Sequence, residues 1–180
     1  SGPTKPGGNR SPPTTSSRSP EKQSNAGERQ PPSKESPKPP DRGYTARGKT
    51  SGRSYNPEKA GGPIQDRDYR QTEITPEGVA DVRTHTGRFE KFEPNDLMNG
   101  RLDKIAAGEL EPTEYDQRYY THELDELQRY RNLDIPDNVD AGYDVWNDTH
   151  TATLEDYGIA DKDRNGNPTL YHPDTWSWLK

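Results

Sequence analysis

Apolar residues are scarce along the first 72 positions and then recur at three- and four-residue spacings to position 157. Thr75-Pro76-Glu77 is an N-cap followed by proline at the first helical position. Val79 and Val82 then share a face, and Gly87 is placed to close that helix in a left-handed conformation. A second helix starts at Pro94-Asn95-Asp96, keeps its period through Leu97, Met98, Leu102, Ile105 and Ala106, and stops at Gly108. A third starts at Pro112-Thr113, with Asp116 as the acid of a capping box, and runs to about Leu133, before Pro136. A fourth spans about Asp140 to Tyr157, with Gly158 as its stop. Asn165-Gly166 between short polar-flanked runs predicts a type I′ hairpin turn. The expected fold class is mainly α: a disordered N-terminal linker, then a small bundle of about four helices with a short C-terminal β-hairpin.

Composition sharpens this division. Residues 1–72 hold 12 of the 18 prolines and 9 of the 16 glycines, and their 14 Lys/Arg against 7 Asp/Glu give a net +7. Their apolar residues are only Ala26, Tyr44, Ala46, Tyr55, Ala60, Ile64 and Tyr69. A segment of this kind is expected to stay a disordered basic linker, with extended stretches at Pro31-Pro32 and Pro37-Lys38-Pro39-Pro40. Residues 73–180 carry 11 Lys/Arg and 24 Asp/Glu, a net −13, with every histidine and tryptophan. With 24% hydrophobic residues and a mean hydropathy of −1.43, the whole chain is too polar to bury one 180-residue core, while one small domain over 73–180 is feasible. No apolar run is long enough for a transmembrane helix. The absence of cysteine excludes disulfides, thiol catalysis and cysteine zinc sites. The Ser-Gly start, without Met, is expected of a piece of a longer polypeptide.

The candidate chemistry lies on two helices. At 100° per residue, Tyr115, Tyr119, His122, Glu126, Tyr130 and Leu133 of the third helix fall in one arc. Tyr143, Trp146, Asn147, His150, Leu154 and Tyr157 share a face of the fourth. Each aromatic face thus carries a histidine and a second hydrogen-bonding group one turn away. If the helices pack antiparallel, His122, Glu126, Asn147 and His150 converge in one partly buried cluster. Two imidazoles near neutrality can serve as general acid and base, and two imidazoles with a carboxylate can hold a divalent metal that activates water. The bland reading is a set of satisfied core hydrogen-bonding groups.

Other signals are weaker. His122-Glu123 is half of a zincin motif, but Glu126 stands where the second histidine belongs. Asp161, Asp163, Asn165 and Gly166 match the start of a calcium loop, whose twelfth position is His172 rather than glutamate. His172 could join the cluster or lie at a strand end. His85 is expected to face solvent near a helix C-terminus, and Trp176 and Trp178 to cap the core. Arg118, Arg129 and Arg131 are the only local basic concentration.

The segments Tyr120-Thr121-His122-Glu123-Leu124, Arg129-Tyr130-Arg131, Trp146 through Tyr157, and Leu170-Tyr171-His172-Pro173 resemble a C-terminal domain of bacterial polymorphic toxins. The likeness covers roughly Phe92 to Pro173, and the Trp146-Asn147…His150…Leu154-Glu155-Asp156-Tyr157 stretch is its most specific part. The resemblance implies an effector carried on a larger Rhs or contact-dependent-inhibition polypeptide, secreted and delivered into a target bacterial cytoplasm. It also implies a cognate immunity protein as partner. Many such toxins are nucleases, which makes nucleic acid the first expected substrate. The −13 of residues 73–180 argues the other way, since nucleic-acid binders present basic patches. Two alternatives stay open: a toxin acting on a nucleotide, protein or cell-wall bond, and a non-catalytic interaction module.

Overall fold

The computed structural model describes residues 43–179. The part of the expected linker over 1–42 lies outside the described residues. Strands β1 (Ala46–Arg47) and β2 (Ser54–Tyr55) pair antiparallel. Helices α1 (Pro76–Thr86), α2 (Glu93–Ala106), α3 (Glu114–Asn132) and α4 (Tyr143–Tyr157) follow, with short 3-10 turns at Pro57–Lys59 and Pro173–Trp178. The molecule is mainly helical with one short two-stranded hairpin, and no described helix is long and apolar enough to cross a membrane.

Local chemistry sets most helix ends where the sequence places them. Thr75 caps α1 by accepting from Gly78 N–H, and Pro76 fills the first helical position. Thr113 and Asp116 form both bonds of the capping box on α3. Gly108 and Gly158 adopt positive φ just beyond α2 and α4. Gly87 differs from expectation: its φ is −67°, and α1 ends without a left-handed residue. α4 begins at Tyr143 rather than near 140, because Asp140 accepts from Gly142 N–H and Gly142 turns with φ 94°.

α3 is the central rod, packed against each of the other three helices. It is buried on nearly every side, and most of what it buries is polar: Asp116, His122, Glu123, Asp125, Glu126 and Arg129 beside Tyr119, Tyr120, Leu127 and Tyr130. The apolar core is correspondingly divided. Ile74, Val79, Val82, Met98, Leu102, Tyr119 and Tyr120 form the largest cluster. Tyr69, Leu154, Ile159 and Leu170 form a second. Tyr55, Ala60 and Ala152 form a third.

Tyr55, Ala60 and Tyr69 show that the linker expected over 1–72 ends earlier. Residues 43–72 are a strap bound along α3 and α4. Acids of α4 grip its backbone. The Glu155 carboxylate accepts from the N–H groups of Thr50 and Ser51, Asp148 from Asn56 and Asp156 from Gln65. Arg129 of α3 makes a bidentate pair with Asp156 at 2.8 Å and donates to the carbonyls of Ala60, Gly62 and Pro63. Gly61 sits at φ 77° with its Cα against the Arg129 backbone, where a Cβ would collide. The chain turns at Asn165-Gly166, but not in the expected type I′ form: Gly166 has φ 80° while Asn165 does not have positive φ, Gly166 N–H donates to the Asp163 carbonyl, and the arms meet through a single bridge, Lys162 to Pro168. Asp163 accepts from the N–H groups of Asn165 and Asn167, so its carboxylate holds the turn.

Candidate functional site

The crossing of α3 with α1 and α4 brings three histidines onto one carboxylate. Glu126 Oε1 lies 2.8 Å from His85 Nε2, and Glu126 Oε2 lies 3.0 Å from His122 Nε2. His150 Nδ1 lies 3.0 Å from His122 Nε2 and 3.4 Å from Glu126 Oε2. All four side chains are buried; His150, at 7% exposed, is the outermost. His122 and Glu126 meet because they stand one turn apart on α3. His150 reaches them from α4, as the antiparallel packing of the two aromatic faces predicts.

His85 departs from expectation. It is fully buried rather than solvent-facing, because α1 turns its C-terminal end onto α3. Its Nδ1 receives the Arg88 Nε–H at 3.2 Å. A guanidinium only donates, so the His85 proton sits on Nε2 and points at Glu126. Burial pushes the His85 pKa down to about 4, against the pull of Glu126, so the ring is neutral at pH 7. Burial lowers His122 as well. For Glu126 burial acts upward, but the hydrogen bonds of His122, His150 and His85 outweigh it and hold the carboxyl well below the usual range. Neighbouring Glu123 is driven well up by burial and by Glu126, which keeps it protonated. Glu126 is therefore an ionised carboxylate held against the neutral rings of His85 and His122. His122 Nδ1 has no hydrogen-bond partner among the described residues.

Asn147 is not in this inner group. It lies one turn from His150, where its Oδ1 accepts from Arg53 at 2.6 Å and its Nδ2 donates to the Ser54 carbonyl. It ties strand β2 to α4 and orients Arg53. The Arg53 guanidinium also contacts Asp161 at 3.0 Å and Thr151 at 3.1 Å. Asp161 stands 3.6 Å from His150 Nε2. Burial opposes ionisation of Asp161, but His150 and Arg53 prevail and hold its pKa low. Trp146 stacks on His150 with ring centres 4.4 Å apart and an interplanar angle of 16°, and Arg53 lies over the same indole. Arg53, Asp161, Trp146 and Asn147 thus frame the side of His150 that faces away from Glu126.

The two imidazoles that the sequence offers for acid–base chemistry are in direct contact. His122 and His150 touch, so no substrate bond fits between them; His150 is the ring that can meet a substrate, and His122 and Glu126 stand behind it. His172 is elsewhere: its Nδ1 accepts from Asp174 N–H and caps the turn at Pro173–Trp178. Trp176 is partly buried and donates to the Tyr171 carbonyl, while Trp178 is exposed rather than capping the core. Arg118, Arg129 and Arg131 do not make an open basic patch, since they pair with Glu114, Asp156 and Asp137.

Arg53, His85 and Asp161 are the site residues that the sequence pattern missed, Asp161 because its spacing matches the start of a calcium loop. Arg53 lies in the low-complexity strap, where nothing marks it. For His85 the available signal was Arg88 three residues on, which places a guanidinium one turn from the ring. Comparison with protein-family models, curated proteins and solved structures returns no match.

Proposed function

We propose that this chain is the effector part of a secreted interbacterial toxin, and that it is a nuclease centred on His150, His122 and Glu126. The observation that carries the hydrolytic reading is the ionised, buried Glu126 held against three imidazoles, one of which reaches the edge of the fold. Buried ionised carboxylates are costly, and groups held this way concentrate at functional sites. Glu126 behind Nδ1 of His150 stabilises the imidazolium that forms when Nε2 takes a proton from water or a ribose hydroxyl. Asn147 acts as a positioning residue by holding Arg53.

The nucleic-acid reading is supported by the rim of the site. Arg53 places a guanidinium there, held by Asp161, Asn147 and Thr151, and a phosphate would take it in exchange for one of those partners. The toxin reading is supported by the resemblance of the Trp146–Tyr157 and Tyr120–Leu124 segments. It implies a cognate immunity protein. A second reading, a toxin hydrolase acting on an uncharged bond, is favoured by the net −13 of residues 73–180 and by the paired arginines.

The test is incubation of the purified chain with cellular RNA and with DNA, beside His150→Ala. The nuclease reading expects fragmentation of one of them, reduced at least about a hundredfold in the variant. Intact nucleic acid from cells that the chain nonetheless kills would favour the second reading and remove the first.

A further inference from the structure

The three atoms nearest the centre of the cluster form a small triangle. His122 Nε2, Glu126 Oε2 and His150 Nδ1 are separated by 3.0, 3.0 and 3.4 Å. A tetrahedral zinc-type ion with ligand bonds of about 2.0–2.1 Å sets its ligands about 3.3–3.4 Å apart. The triangle is within a few tenths of an ångström of that figure, so it closes on such an ion without rearrangement of the helices. Each corner offers an electron pair: imidazole nitrogens from α3 and α4, and a carboxylate oxygen from α3.

Two corners are braced from behind. Glu126 is aimed by His85, whose Nε2–H holds Oε1 and leaves Oε2 for the triangle. His150 has Asp161 at 3.6 Å from its far nitrogen, and Asp161 is itself fixed by Arg53. A carboxylate behind a ligating imidazole fixes its tautomer and raises its basicity. His122 Nδ1 has no such support, so its ring proton, displaced from Nε2, finds no acceptor among the described residues. That cost lowers the affinity of the site without changing its ligand set.

Charge points the same way. Glu126 brings a carboxylate oxygen to the triangle, and the buried Arg88 guanidinium donates to His85 rather than to Glu126. A second grouping, His85 with Glu123 and Glu126, also brings three donor atoms together. It is a poorer host: His85 and Glu123 stand 3.8 Å apart, and His85 already accepts from Arg88.

We infer that His122 Nε2, Glu126 Oε2 and His150 Nδ1 bind one divalent first-row cation of the zinc type, with Asp161 and His85 as the groups that orient the ligands. The inference concerns the centre on which the proposed function rests, but it does not require that the substrate be a nucleic acid. With such an ion bound, His150 would be a ligand with its proton on Nε2 toward Asp161, and water polarised by the ion, rather than the ring, would supply the base.

The full 180-residue chain, stripped with a chelator and dialysed, is titrated with Co²⁺ and then with Zn²⁺ in competition. The expected result is one equivalent of cobalt with the intense visible bands of a four- or five-coordinate site, displaced by zinc. His150→Ala, at the outer edge of the cluster, is expected to weaken binding by about a hundredfold or more. Asp161→Asn is expected to weaken it about 10–100-fold with the fold intact by circular dichroism. His172→Ala, away from the cluster, is expected to change nothing. A chain that melts cooperatively yet takes up no cobalt or zinc overturns the proposal, as does binding that survives His150→Ala. The two readings fail separately. Stoichiometric metal with intact RNA and DNA would remove the nuclease, whereas metal-free protein that still degrades nucleic acid would remove the ion.

Discussion

At the scale of single residues, the fold stores titratable groups in states that water would not allow, and their pH dependence has opposite signs. His85 is neutral and buried, with its pKa lowered to about 4 by burial. The unfolded chain binds a proton at this ring from about pH 6.5 downward, and the folded chain does not until about 4. Stability from this group is therefore lost as pH falls through that window, by about 3 kcal/mol. Asp125 behaves inversely. Burial and its neighbour Asp156 raise it to about 8, so the folded state keeps a proton that the unfolded state releases above its ordinary value near 3.8. Stability from Asp125 is lost as pH rises from there through 8. Urea midpoints of wild type and Asp125→Asn across pH 5 to 9 separate the two. The variant is expected to show a shallower decline at the alkaline end, with the share due to Glu123 remaining, and to keep the decline toward acid. Parallel curves for the two proteins would show that Asp125 is not protonated in the fold.

At the scale of elements, the strap over 43–72 depends on α4 acids and on Arg129 more than on its own side chains. Arg129→Met leaves Asp156 buried without its partner and three carbonyls without a donor. The expected cost is about 3–5 kcal/mol. Glu155→Gln is milder: it weakens the grip on the hairpin turn at Thr50 and Ser51. Hydrogen exchange is expected to accelerate at the turn of the β1–β2 hairpin with α3 unchanged. Uniform acceleration across the whole protein would contradict that local role. The strap also marks the limit of what the sequence disclosed. Caps at Thr75 and Thr113 and stops at Gly108 and Gly158 are local signals, and the four helices were legible from them. The meeting of His122, Glu126 and His150 was legible from helical periodicity. The strap was not, because composition reports burial of side chains, whereas residues 46–67 are held largely by backbone groups donating to distant carboxylates. His85 was misplaced for a related reason: its position near a helix end suits a solvated imidazole, and only the packing of α1 on α3 decides otherwise.

At the scale of the whole molecule, a chain with few apolar residues closes its core with polar bonds. Three separate apolar clusters are stitched by Arg129–Asp156, Arg101–Asp116 and the histidines around Glu126. Tyr55, Ala60 and Tyr69 of the strap belong to two of those clusters. A fragment of residues 73–180 is therefore expected to lack a cooperative thermal transition, whereas residues 43–180 keep one; calorimetry of the two fragments decides it. The strap also delivers Arg53 to His150, so the site is complete only when the strap is bound. The central claim is that the His122–Glu126–His150 centre is functional rather than a satisfied piece of core. It is tested most directly by growth of a bacterium expressing the full chain or His150→Ala, with the melting temperature of each purified protein measured alongside. The account predicts growth arrest by the wild type and normal growth with the variant, at closely similar melting temperatures. A variant that is folded and still arrests growth at wild-type strength would contradict it.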